Sequence, residues 1–208
     1  MEDGHAKEKG ESSHEHRGKQ RLFEANNGEL RGGVSMPFVE VFTREELSDA
    51  VRSKLAETLL VTMMNIEIGH PTDHGRAIGW VWFHTLSGTS WAVGGRFDDT
   101  YIKGRKMGLA RIIAPEGIMN SELKSKALAE VTKNLRDAMG AEDDDDGTGV
   151  FAIYEEVPAG HWANGGNILL LSELLKEMGG EVSKERKREM KALFDGRAAL
   201  KEHFGIPE

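Results

Sequence analysis

Over residues 1 to about 35 the chain is charged, with scattered apolar side chains and no sustained period. Such a segment buries too little to offset the entropy of ordering, so a disordered leader is expected over 1–35. At Met36 the pattern changes. After Pro37, the run Phe38 to Phe42 alternates and is β-rich, and Thr43 followed by Glu46 has capping-box spacing, so a strand should hand over directly to a helix. Leu47, Val51, Leu55, Leu59 and Thr62–Met63 recur at helical spacing to about residue 65, with Arg52, Lys54 and Glu57 on the other faces. The turn-rich stretch 69–75 precedes Ala77 to His84, which reads as a buried strand, and the segment from Ser87 to Gly95 reads as a hairpin.

The same order of elements then returns. Gly108 to Ile113 reads as a strand, Leu123, Ala127, Val131 and Leu135 mark a helix running to about Met139, and Val150 to Tyr154 reads as the next strand. Each half closes on a matching pentapeptide, Trp91-Ala-Val-Gly-Gly95 and Trp162-Ala-Asn-Gly-Gly166, which marks an internal repeat. Two parallel strands joined by a helix, twice, predict an α+β fold: two tandem β-α-β units (36–106 and 107–166) sharing a four-stranded sheet, with two helices on one face. Helical patterns at Ile168–Met178 and from Ser183 to about Phe204, separated by Gly179-Gly180, predict a C-terminal helical extension over 167–208. Leu169, Leu170, Leu174, Leu175 and Met178 give the first of these an apolar face suited to its own core or to a neighbouring subunit. The acidic run Glu142–Asp146 reads as a solvated loop.

Composition narrows the classes of function. With 27 Lys+Arg against 35 Asp+Glu, the net charge of -8 repels a phosphate backbone, so nucleic acid is not an expected partner. Cysteine is absent, which excludes disulfides and thiolate metal sites. No apolar stretch approaches bilayer length and the N-terminus has no hydrophobic signal core, so the chain reads as soluble and cytoplasmic, with no membrane partner. His5, His14 and His16 are irregularly spaced, and His70 and His74 lack an evident third ligand, so no metal is assigned.

Met36-Pro37-Phe-Val-Glu-Val, the amphipathic helix that follows, and the two Trp-Ala-x-Gly-Gly endings resemble the tautomerase superfamily over about residues 36–166, and the doubled length resembles its fused members. That group spans 4-oxalocrotonate tautomerase, macrophage migration inhibitory factor-like and phenylpyruvate-type proteins, chloroacrylic acid dehalogenases and malonate semialdehyde decarboxylase. The resemblance implies a trimer whose sheets enclose a barrel-like core, sites built between units, no cofactor, and catalysis by an N-terminal proline, here Pro37. A terminal secondary amine can carry a proton in and out, and an apolar wall with nearby cations keeps it neutral near working pH.

Counted from Pro37, Arg44 falls where the dehalogenase resemblance implies a carboxylate-binding arginine, a role suited to a bidentate guanidinium. Leu47 and Trp80 stand where the 4-oxalocrotonate type has arginines, which argues against that strict specificity. Arg76 is a candidate replacement cation, Arg111 a candidate for a site between units, and Trp91 the candidate apolar wall, with Trp162 its counterpart. Asp73 lies near the position of the decarboxylase's catalytic aspartate. The second unit opens at Gly108 and has no proline amine of its own.

An internal proline nitrogen is an amide without a usable lone pair, so the mechanism requires a chain that begins at Pro37. Arg31 to Ser35 can be encoded by a purine-rich run of the kind that precedes a bacterial start codon, so translation from Met36 is the expectation, with cleavage after Met36 as the other route. The leading function is tautomerisation of a small 2-oxo acid. Dehalogenation or decarboxylation of a small carboxylate using Pro37 with Asp73 is the alternative. A retained leader would instead leave a noncatalytic binding module, and a third reading is an oligomerisation scaffold presenting the C-terminal helices to a partner.

Overall fold

The alternation after Pro37 becomes a strand over Phe38–Thr43 (β1), in which Val39, Val41 and Thr43 are buried and the residues between them half-buried. The computed structural model describes residues 38–141, 148–158, 160–164, 166–168 and 181–205. Pro37, the leader, the acidic run 142–146 and the apolar stretch 169–178 lie outside the described residues. β1 pairs parallel with β2 (Trp80–Thr85) and antiparallel with β3 (Gly108–Pro115), and β3 pairs parallel with β4 (Val150–Val157). The order β2-β1-β3-β4 therefore sets two parallel β-α-β pairs back to back along their first strands.

Helices α1 (Asp49–Glu67) and α3 (Ser121–Met139) make the two crossovers. Leu55, Leu59 and Met63 of α1 and Ala127, Val131 and Leu135 of α3 join Val39, Val41, Ala110 and Ile112 in one buried core. Asn120 caps α3, its side chain accepting from the Leu123 amide at 2.8 Å, and Gly140 ends it with a φ of 63°.

Three local expectations are corrected. α1 is not capped by Thr43: that residue ends β1, and its hydroxyl donates to the Glu45 carbonyl at 2.7 Å, leaving Ser48 to accept from the Val51 amide as N-cap. Ala77 and Ile78 do not begin the second strand. They close a short helix, α2 (Asp73–Ile78), capped by Thr72 accepting from the Gly75 amide at 2.9 Å, a side-chain cap that outweighs the apolar run. The hairpin expected at 87–95 shrinks to a 3-10 turn, Gly88–Ser90, and a single bridge between Val93 and Arg96 over Gly94 and Gly95, both at positive φ. Its counterpart forms a two-residue hairpin, β5 (Ala163–Asn164) with β6 (Asn167–Ile168).

The helix predicted from Ser183 runs over Lys184–Phe204 (α4), N-capped by Ser183 and ended by Gly205 at a φ of 61°. Its Met190, with Val182 just before it, joins the same core as α1 and the sheet. Among the described residues no helix is long and apolar enough to cross a membrane.

Leu59 is fully buried between the sheet and α3. Leu59→Ala should lower the free energy of unfolding by about 3 kcal/mol, measured by denaturant titration, because its cavity sits among rigid neighbours.

Candidate active site

The residue after Pro37, Phe38, starts β1 on the sheet face that carries no helix. Its register partner in β2 is Trp80, and alternation puts Trp82 on the same face. The Phe38 ring stacks on Trp82 at 5.3 Å, meets Trp80 edge-on at 5.7 Å, and lies 5.2 Å from Trp162. Trp162, in the segment between β4 and β5, carries the second unit's closing turn back to the first unit's opening strand. Its indole nitrogen is buried and finds no hydrogen-bond partner among the described residues. An aromatic wall thus stands around Phe38, and of the two closing-turn tryptophans it is Trp162, not Trp91, that reaches it.

Trp91 follows the opposite, C-terminal end of β2, in the segment that reaches Phe97. Arg44 lies at that end too, just past β1, and donates to the Phe97 carbonyl at 3.2 Å. Six strand residues separate it from the start of β1, roughly 20 Å. One chain therefore does not bring Arg44 or Trp91 to Phe38. Among the described residues Arg44 makes no ion pair.

The other two arginines are already held. On the open face Arg111 donates from Nη1 to Glu40 at 3.0 Å and from Nε and Nη2 to Glu155 at 2.8 and 2.5 Å. Glu155 and then Glu40 raise its pKa further and keep it cationic. Arg76, on α2, donates from Nη1 to both carboxylate oxygens of Glu57, at 2.6 and 2.5 Å. Asp73, at the start of α2, lies on the element that leads through Gly79 into Trp80, so it shares the Phe38 end of the sheet. No cluster of three or more metal-ligating side chains occurs among the described residues.

Beneath this end, on the helix-covered side, lies a group of polar side chains that no sequence period signals. Glu67, the last residue of α1, is 1 % exposed, and its Oε1 has no partner among the described residues. Burial pushes its carboxyl up to about 8, against the opposing pull of Arg186. Tyr154 of β4 projects toward the same interior, and burial together with the nearby Glu67 raises its phenol. Arg186 of α4, itself buried, donates from Nε to the Glu67 carbonyl at 3.1 Å and from Nη2 to the Ile118 carbonyl at 2.8 Å. At the edge of this group Lys124 donates to Glu156 at 2.6 Å and stands 5.7 Å from the Tyr154 ring.

Solved structures share this arrangement of strands and helices. A structure of Pt0534 inactivated by 2-oxo-3-pentynoate superposes with a TM-score of 0.52 at 19% identity, over 66% of this chain and 98% of that one. The chain has the fold of the tautomerase superfamily. A fused 4-OT, described as a wild-type asymmetric trimer, shares the tautomerase fold with a TM-score of 0.51 at 14% identity, over 63% and 94% of the two chains. N1, a member of the cis-3-chloroacrylic acid dehalogenase family, gives 0.53 at 16% identity, over 75% and 99%. At these identities the tautomerase likeness is one of fold. No family model matches the sequence, and no curated protein matches it.

Between about pH 4.5 and 8 the folded chain keeps a proton on Glu67 that the unfolded chain has released, so this group's contribution to stability falls as pH rises through that window. Glu67→Gln cannot ionise. Its unfolding free energy should therefore decline less than wild type between about pH 5 and 8, by about 1–4 kcal/mol, as read from urea titrations at each pH.

Proposed function

We propose that the chain is a cofactor-independent tautomerase of a small 2-oxo acid, with the amine of Pro37 as its general base and acid. The observation that supports this reading is the aromatic wall of Trp80, Trp82 and Trp162 around Phe38, the next residue to Pro37, on a tautomerase fold. Indole faces exclude water and disfavour an ammonium, so a proline amine beside them stays neutral enough to act as a base. It removes a proton from the carbon next to the substrate carbonyl, the electron pair moves onto oxygen as an enolate, and the protonated amine returns the proton at the alternative position. No atom is lost, and no redox partner is required.

The substrate carboxylate goes to Arg44. Arg76 and Arg111 already hold carboxylates, whereas among the described residues Arg44 has only the Phe97 carbonyl as its side-chain partner. Because Arg44 lies at the far end of β1, it serves the Pro37 of a neighbouring copy, and so does Trp91. A homotrimer meets that requirement. Its contact is the open sheet face, where Trp80 is 50 %, Phe151 59 % and Ile153 49 % exposed, an apolar surface of the kind that subunits cover. The fused 4-OT of like fold is a trimer.

Asp73 supports a second reading, Pro37-dependent dehalogenation or decarboxylation of a small carboxylate, because it stands at the Phe38 end and its α2 neighbour Arg76 is committed to Glu57. Release of chloride or carbon dioxide, in place of isomerised product, would favour that chemistry.

Intact mass of the protein made from its own upstream DNA should correspond to a chain beginning at Pro37. Retention of Met1 would rule out proline catalysis and favour a noncatalytic oligomeric module. With Pro37 free, 2-oxo-3-pentynoate should add to its amine, forming a nitrogen–carbon bond to the alkyne with no leaving group, and the terminal peptide should gain the mass of one reagent. Pro37→Ala should lower kcat on an enol 2-oxo acid by about 10²–10⁴-fold. Arg44→Gln should raise KM by about tenfold or more, with a smaller change in kcat.

A further inference from the structure

The C-terminal helix touches the sheet end where β1 begins, and it does so through directed polar contacts as well as through apolar packing. Two loops frame that end. Residues 68–79 connect α1 to β2 and carry Asp73 and Arg76, and residues 116–120 connect β3 to α3. The first leads into Trp80, a register partner of Phe38, and the second leaves β3 two residues past Ile113, the other partner.

The buried guanidinium of Arg186 joins the two loops. Nε donates to the Glu67 carbonyl at the mouth of the first, Nη2 donates to the Ile118 carbonyl within the second, and Nη1 pairs with Glu189 on its own helix. Further bonds fasten the first loop to the same segment. The Ser183 amide donates to the Ile68 carbonyl at 2.9 Å, and the Thr72 hydroxyl donates to Glu181 at 2.6 Å. Gly69 makes the approach possible: its φ is 94°, and a Cβ there would lie 2.6 Å from the Ser183 hydroxyl oxygen. The adjoining wall of the second loop is tied to β4, the Gly117 amide donating to Glu156 at 3.0 Å and Arg197 of α4 donating to Glu116 at 3.2 Å.

We infer that α4 is a clamp on the two loops that frame the start of β1, with Arg186 as its positioning residue. The inference rests on the reading of this end as the catalytic one. A buried counter-ion for Glu67 alone could be a lysine. Bridging two carbonyls on different loops while pairing a third group requires the fixed fork of a guanidinium, which a point-charge ammonium does not reproduce. The clamp fixes α2, and so the height of Trp80 and the placing of Asp73 and Arg76 against the Pro37 end.

Hydrogen exchange on the full chain tests the clamp without reference to activity. In Arg186→Lys and Arg186→Gln alike, amides of 68–79 and 116–120 should exchange about tenfold faster or more, while those of β1 and β3 keep their wild-type protection. Glu181→Ala, which removes the acceptor of Thr72 while leaving the Thr72 cap of α2 and the buried guanidinium in place and serves if the Arg186 variants do not fold, should loosen 68–79 alone. Faster exchange confined to 184–204 would overturn the clamp, as would full protection of both loops in Arg186→Lys. Steady-state kinetics on the same proteins test its consequence. The loosened variants should lose about tenfold or more in kcat with a smaller change in KM, and unchanged kcat would show that the clamp does not serve the site. Wild-type protein with a free Pro37 and no turnover would reject the tautomerase reading, whereas the exchange result would still decide whether α4 clamps the loops.

Discussion

β1 is hydrogen-bonded along both edges, parallel to β2 on one side and antiparallel to β3 on the other, and the rest of the fold depends on that double pairing. A strand held on two sides cannot slip by one residue without turning its whole pattern over, which would send Val39 and Val41 to the open face and Phe38 and Glu40 into the helices. The register therefore decides two things together. It places a dry core under α1 and α3, and it sets Phe38 between Trp80 and Ile113 at the edge of the opposite face.

The open face is chemically mixed for a reason that follows from its position. Three tryptophans gather around Phe38, while further along Arg111 spans Glu40 and Glu155 across three strands. A cation with two carboxylates on a surface that neighbouring subunits would cover is a self-contained polar unit, and it leaves no unpaired charge to be buried. The same pairing leaves Arg111, and Arg76 through Glu57, with carboxylates already in place. Of the three candidate arginines, Arg44 is the one without an ion pair among the described residues, and it stands at the far end of β1 from Phe38.

Below the sheet the balance is reversed. Glu67 is buried with one oxygen unpartnered among the described residues, and burial pushes its carboxyl up to about 8 against the pull of Arg186, whose guanidinium is directed at the Glu67 and Ile118 carbonyls and at Glu189. The cost of burying Glu67 is smallest when it is neutral. Arg186 is consequently free to serve the backbone of two loops, and α4 becomes part of the architecture around β1 rather than an appendage.

Much of this was legible in the residues themselves. Alternation at Phe38–Phe42, the helical spacings of α1 and α3, the two Trp-Ala-x-Gly-Gly turns and the helical pattern from Ser183 to about Phe204 led to the two β-α-β units and the last helix, because those patterns are local and set by side-chain period. The competing signals were local too: Thr72 capped α2 where Ala77 and Ile78 suggested strand, and Ser48 took the cap ascribed to Thr43. Nothing in the sequence indicated that Trp162 would meet Phe38 or that Arg186 would reach Glu67 and Ile118, since these partners are 124, 119 and 68 positions apart. The sequence by itself determined the main strands and helices and which of their faces are apolar. Only the tertiary structure decided which aromatic groups surround Phe38, which arginines already hold carboxylates and which contacts join α4 to the loops, because contacts between distant residues depend on strand order and register, which no local period encodes.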